Sequence, residues 1–97
     1  MEEITYKFSP EKNALLIESR GISFEQVIAV LQTNGPLDIV QHPNDEKYGH
    51  QRMYIVELND YVFLVPFVEN KNEIFLKTIF PSRKATKVYL SKEVEDD

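Results

Sequence analysis

The 97-residue chain has no cysteine, no tryptophan and only three glycines. Without cysteine there is no disulfide framework, no thiolate metal site and no thiol nucleophile, so stability has to come from packing. No stretch approaches the roughly 20 consecutive apolar residues of a membrane span, and Met1-Glu-Glu-Ile-Thr5 lacks the basic start and apolar run of a signal peptide. The expected location is the cytoplasm, with no membrane partner. The few glycines form no P-loop, dinucleotide-binding turn or Gly-x-Ser-x-Gly elbow. No repeat, linker or low-complexity tract breaks the chain, which reads as one domain over 1–97.

What is present is 42% apolar residues, including five tyrosines and six phenylalanines, enough for one modest core. The net charge is −5, which at first argues against nucleic acid. Its placement changes that reading. Glu2, Glu3, Glu93, Glu95, Asp96 and Asp97 are six of the sixteen acids, so ten remain between the ends against eleven Lys and Arg. The stretch 93–97 is expected to be a flexible, solvated tail. From Ile74 to Lys92 the sign inverts: Lys77, Arg83, Lys84, Lys87 and Lys92 occur with no Asp or Glu. A phosphate-rich ligand would be drawn to such a segment.

Periodicity supplies the elements. Ile4-Thr-Tyr-Lys-Phe8 alternates as a short strand. Ser9-Pro10 suits an N-cap and first helical position, predicting a helix from Pro10 to about Arg20 with Gly21 closing it. Ser23-Phe-Glu-Gln26 has capping-box spacing, and Phe24, Val27, Ile28 and Leu31 fall on one helical face, predicting a second helix to about Thr33. Leu37–Val40, Arg52–Leu58, Tyr61–Val68 and Ile74–Phe80 read as strands, with Asn59-Asp60 as a hairpin turn and Pro66 at a bulge or open edge. Ser82 is placed to cap a last short helix to about Leu90. The expected fold is α+β: two N-terminal helices packed on one face of a small antiparallel sheet of about four strands, plus the short C-terminal helix.

Arg83 and Lys84 sit just past a strand end. Solvated cations are the ordinary reading, yet a helix start disfavours positive charge, which gives an anion-binding role added weight. Lys77 lies inside a strand, where its stem can snorkel or its face can open onto a cleft. Tyr89 reads equally as core or as a platform for a base. The loop from His42 to Arg52 gathers two histidines, Lys47, Tyr48 and Arg52, and His is the natural acid or base near neutral pH. His42, Asp45, Glu46 and His50 match no metal-binding spacing, so neither metal nor other cofactor is expected.

Three pieces taken in order, Phe8-Ser-Pro-Glu-Lys-Asn13, Arg20-Gly-Ile-Ser-Phe-Glu25 and Ile79-Phe-Pro-Ser-Arg-Lys-Ala85, make the chain resemble the BrnT-type toxins of bacterial type II toxin–antitoxin modules. The resemblance implies a fold of the RelE-like ribonuclease class, metal-independent cleavage of RNA, and neutralisation by a DNA-binding antitoxin encoded beside the toxin. The RNA would be messenger RNA, free or on the ribosome. The family's Ala-Arg-Lys-Ala falls on Ser82, Arg83, Lys84 and Ala85, and its arginine after a carboxylate-rich loop on Arg52. The chain departs from the pattern at Phe8-Ser9, where the family has Trp-Asp, at Ser19-Arg20, where it has Lys-His, and at Pro81, where it has Ser.

The chemistry that follows is cleavage through the RNA's own 2′-hydroxyl. His50 or Lys77 removes the proton, Arg83 and Arg52 stabilise the phosphorane, a proton donor assists the departing 5′-oxygen, and Lys84, Lys87, Arg20 and Tyr89 hold the strand by charge and stacking. This requires Arg52, Lys77 and Arg83 to meet in one solvent-open hollow. The alternative is a non-catalytic domain that binds a protein or a nucleic acid.

Overall fold

The computed structural model describes residues 3–42 and 51–90, and its elements begin and end where local chemistry directs. Strand β1 (Thr5–Phe8) stops at Ser9, whose hydroxyl accepts the Lys12 N–H and caps α1 (Pro10–Arg20). Gly21, at φ 70°, ends that helix with its N–H on the Ile17 carbonyl, a left-handed turn that costs glycine little. Ser23 and Gln26 then form a reciprocal capping box at the start of α2 (Phe24–Thr33). Strands β2 (Asp38–Gln41), β3 (Arg52–Leu58), β4 (Tyr61–Asn70), β5 (Glu73–Leu76) and β6 (Phe80–Pro81) follow, and α3 (Arg83–Leu90) closes the described chain. Asn59 and Asp60 both take positive φ, as a tight two-residue hairpin between β3 and β4 demands. Ser82 Oγ accepts the Ala85 N–H and caps α3.

The fold is α+β, but the sheet is mixed and six-stranded rather than a four-stranded antiparallel meander. Its order is β1-β5-β4-β3-β2, with β6 pairing β4. The N-terminal strand lies parallel to β5, Thr5 opposite Glu73 and Phe8 opposite Leu76. The pair α1–α2 carries the chain from one edge of the sheet to the other, so β2 begins a meander that brings β5 back beside β1. Alternation within residues 4–8 marks a strand with one buried face and is blind to partner and direction.

The last strand is also split. Leu76 pairs with Phe67 and Phe80 with Leu64, so Lys77, Thr78 and Ile79 stand against only Val65 and Pro66. Pro66 has no N–H to donate, and its carbonyl accepts the Lys77 N–H at 2.8 Å before pairing resumes.

The helices do not share one face. Alternation along β3 puts Tyr54, Val56 and Leu58 on one side, where they pack with Val65, Phe67 and Leu76 against Leu16, Phe24 and Val27 of α1 and α2. Each fully buried side chain of this kind contributes about 1.5–3 kcal/mol. Met53 and Ile55 point to the other side, which α3 crosses. The buried Asn13 joins the first two helices: its Oδ1 accepts the Phe24 N–H at 2.7 Å and its Nδ2 donates to Glu25 Oε1 at 2.9 Å. That amide holds the Glu25 carboxyl below its ordinary value. Among the described residues, no helix is long and apolar enough to cross a membrane.

Candidate functional site

The two faces of the sheet divide the residues singled out from the sequence. Arg52 shares a face with Tyr54 and so stands on the side covered by α1 and α2, directly across from Phe67. Its guanidinium is 2.6 Å from Glu69 Oε1 and 5.3 Å from the Phe67 ring centre. Beside it, Tyr54 stacks on Phe67 with centroids 4.0 Å apart and hydrogen bonds to Tyr6. Burial pushes Tyr54 up to about 12 and raises Tyr6 as well, so neither phenol serves as a base near neutral pH. Arg20, the exposed last residue of α1, belongs to the same helical layer.

The opposite face holds most of the others. Phe75 lies across from Val68 and Lys7, on the side that carries α3, and is 38% exposed. The Lys77 ammonium sits 5.5 Å from its ring centre. Lys7 stands opposite Phe75 in the β1–β5 register, with its Nζ 3.7 Å from Glu73 Oε2. Further along this column come Phe80 and then α3, whose Arg83, Lys84 and Lys87 are exposed. Thr86 fixes the helix to the sheet: its buried hydroxyl accepts the Val62 N–H at 2.9 Å and donates to the Ser82 carbonyl at 2.8 Å. At the far end Tyr89 donates its phenol O–H to Asp38 Oδ2 at 2.9 Å, while Asp38 Oδ1 accepts the Ile39 N–H. The hydrogen bond to Asp38 raises the Tyr89 pKa.

Between α3 and the sheet runs a groove of about 500 Å³. Val40, Met53, Ile55 and Leu64 make its floor, Ala85, Val88 and Tyr89 its wall, and Ser82, Gln41 and Lys84 contribute the polar rim.

Lys77, Arg83, Lys84, Lys87 and Tyr89 therefore share one face, whereas Arg52 and Arg20 lie with the other. Arg52 and Arg83 do not form a common clamp, so the single hollow expected to join Arg52, Lys77 and Arg83 is not built, because alternation along β3 turns Arg52 to the face opposite α3. His50 lies outside the described residues, as do Asp45 and Glu46 of the metal-spacing candidates, Lys92 and the tail over 93–97. His42 is described, and its backbone N–H pairs with the Gln51 carbonyl. Among the described residues no group of three or more His, Asp or Glu is arranged to hold a metal ion.

Lys7 and Phe75 are additions to the site. The parallel β1–β5 pairing brings Lys7 beside Phe75 across most of the chain length, and no local signal announces it. Phe75 alternates with Ile74 and Leu76 in an apolar run that reads as core. The groove was equally hidden, because Met53-Tyr-Ile-Val56 is apolar on both faces.

No protein-family model, curated protein or solved structure matches the chain.

Proposed function

We propose that the domain takes single-stranded RNA on its α3-bearing face and acts as the ribonuclease toxin of a two-protein toxin–antitoxin module, with the RelE-like fold that the BrnT resemblance implies. The observation that carries this reading is the gathering of Lys7, Lys77 and the α3 cations on the side of the sheet where Phe75 is exposed. A half-exposed aromatic ring with a lysine ammonium 5.5 Å from its centre can stack a base while the charge meets a phosphate, and it tolerates any base. Lys77 and Arg83 then take the main parts in cleavage, which needs no metal: His50 accepts the 2′-hydroxyl proton as the 2′-oxygen attacks the adjacent phosphorus, Arg83 opposes the charge of the phosphorane, and the Lys77 ammonium gives a proton to the departing 5′-oxygen as the P–O5′ bond breaks, leaving a 2′,3′-cyclic phosphate. Arg52, held by Glu69 on the far face, has a structural role in this scheme. A DNA-binding antitoxin is the partner.

The test is expression of the chain without a partner, with RNA cleavage and RNA affinity measured on the purified protein. Growth arrest and cleavage are expected, both lost in Arg83→Ala. Phe75→Ala and Lys77→Ala should each weaken RNA binding, with the stacking residue accounting for about 1–3 kcal/mol. Arg52→Ala should leave affinity unchanged. Affinity should also fall steeply with salt. Arrest that persists in Arg83→Ala, or RNA binding indifferent to Phe75, overturns the reading.

A second reading is favoured by the apolar groove: a non-catalytic module that binds another protein. It predicts partner binding with no RNA cleavage at any protein concentration.

A further inference from the structure

The groove under α3 calls for a ligand of different chemistry from the cations around it. Its floor is aliphatic and thioether, from Val40, Met53, Ile55 and Leu64, and offers no ring for a base to stack on. On the α3 wall, Lys84 and Val88 are one helical turn apart, as are Ala85 and Tyr89, so both pairs line the groove as short stripes. Val88 is 65% exposed at the lip, a position that leaves its branched side chain without cover. Lys84 supplies positive charge toward the start of α3, and the Tyr89–Asp38 hydrogen bond ties the other end of the helix to the sheet edge.

We infer that this groove is a docking site for an amphipathic acidic segment of a second protein, which buries apolar side chains between Val88 and the Met53–Ile55 floor and sets a carboxylate against Lys84. Charge complementarity selects this occupant. Among the described residues that line the groove, Lys84 is the charged one, and the Asp38 carboxylate at the other end is engaged by the Tyr89 hydroxyl. The site names where a protein partner seats, and it stands whether or not the chain cleaves RNA. Because it shares a face with Phe75 and Lys77, an occupied groove would crowd a strand lying on that ring.

The test is panning of a displayed random-peptide library on the intact chain, followed by anisotropy of the enriched peptide with the parent and three variants. Expected are sequences that combine Leu, Ile or Phe with Asp or Glu, bound at least about tenfold more weakly by Val88→Asp and by Lys84→Glu, and equally by Phe75→Ala. Since Val88 is largely exposed, Val88→Asp should keep the parent's circular dichroism and unfolding midpoint, and Lys84→Glu provides an independent surface variant. Basic or uncharged consensus sequences, binding unaffected by both variants, or failure of any peptide to enrich overturns the inference. So does self-association abolished by Val88→Asp, or a loss of poly-uridine RNA binding in that variant as large as its loss of peptide binding. If Phe75→Ala leaves RNA affinity intact while the peptide results hold, the RNA reading fails and the docking site remains.

Discussion

The two faces of the central sheet are finished to different degrees. On the side of α1 and α2, Phe24, Val27, Val56, Val65 and Leu76 have no exposed surface, and even the polar Asn13 has both ends of its amide bonded. On the other side, among the described residues, one short helix crosses the strands beside a groove, a half-open aromatic ring and a set of cations. A face closed by packing has little left to offer a ligand, whereas a face that one helix covers in part retains both shape and charge.

Four measurements test whether the two faces differ in this way. The largest effect is expected from Phe24→Ala, which empties a fully buried site whose ring stacks on Phe8 at 5.0 Å. Urea unfolding should show a loss of about 3–5 kcal/mol, and a loss below about 1 would mean that the closed face is not the stability core. Thr86→Val keeps the shape under α3 but deprives the buried Val62 N–H of its acceptor. A loss of about 1–3 kcal/mol is expected, with weaker peptide binding in the groove. A milder effect concerns alkali. Tyr54 is raised to about 12 in the folded chain, so the unfolded phenol ionises first, near 10. The stabilisation from the neutral hydroxyl is complete below pH 10 and is lost as pH rises toward 12. Unfolding midpoints followed over that interval should fall more steeply for the parent than for Tyr54→Phe. Last, Val88→Ala at the groove lip should move stability by no more than about 0.5 kcal/mol, since most of its surface is already in water. A larger loss would show that α3 closes its face more tightly than the groove indicates.

The helices were legible in the sequence because their signals are local. Ser9-Pro10, Gly21 and the Ser23–Gln26 pair each act within four residues, and all three operate in the structure. The Asn59-Asp60 turn is local in the same way. Pro66 announced an irregularity, yet the strand it interrupts is its neighbour: the break falls at Lys77–Ile79, because a missing N–H is felt across the ladder. The direction and partner of β1 depend on where the α1–α2 pair delivers the chain, which no periodicity encodes. For the site, the acid-free cation run from Lys77 to Lys87 was visible and lies on one face. The division between Arg52 and Arg83 was not, since it depends on which side of β3 meets the helices, and Met53-Tyr-Ile-Val56 would suit either.

Asp38 lies in the outermost strand, β2. One of its oxygens occupies the Ile39 amide and the other holds the Tyr89 phenol. The amide at the centre of the outermost strand is thus answered from within, and a foreign strand seeking to extend the sheet there finds no donor. The same carboxylate that anchors the last helix thus also occupies one donor at the border of the sheet.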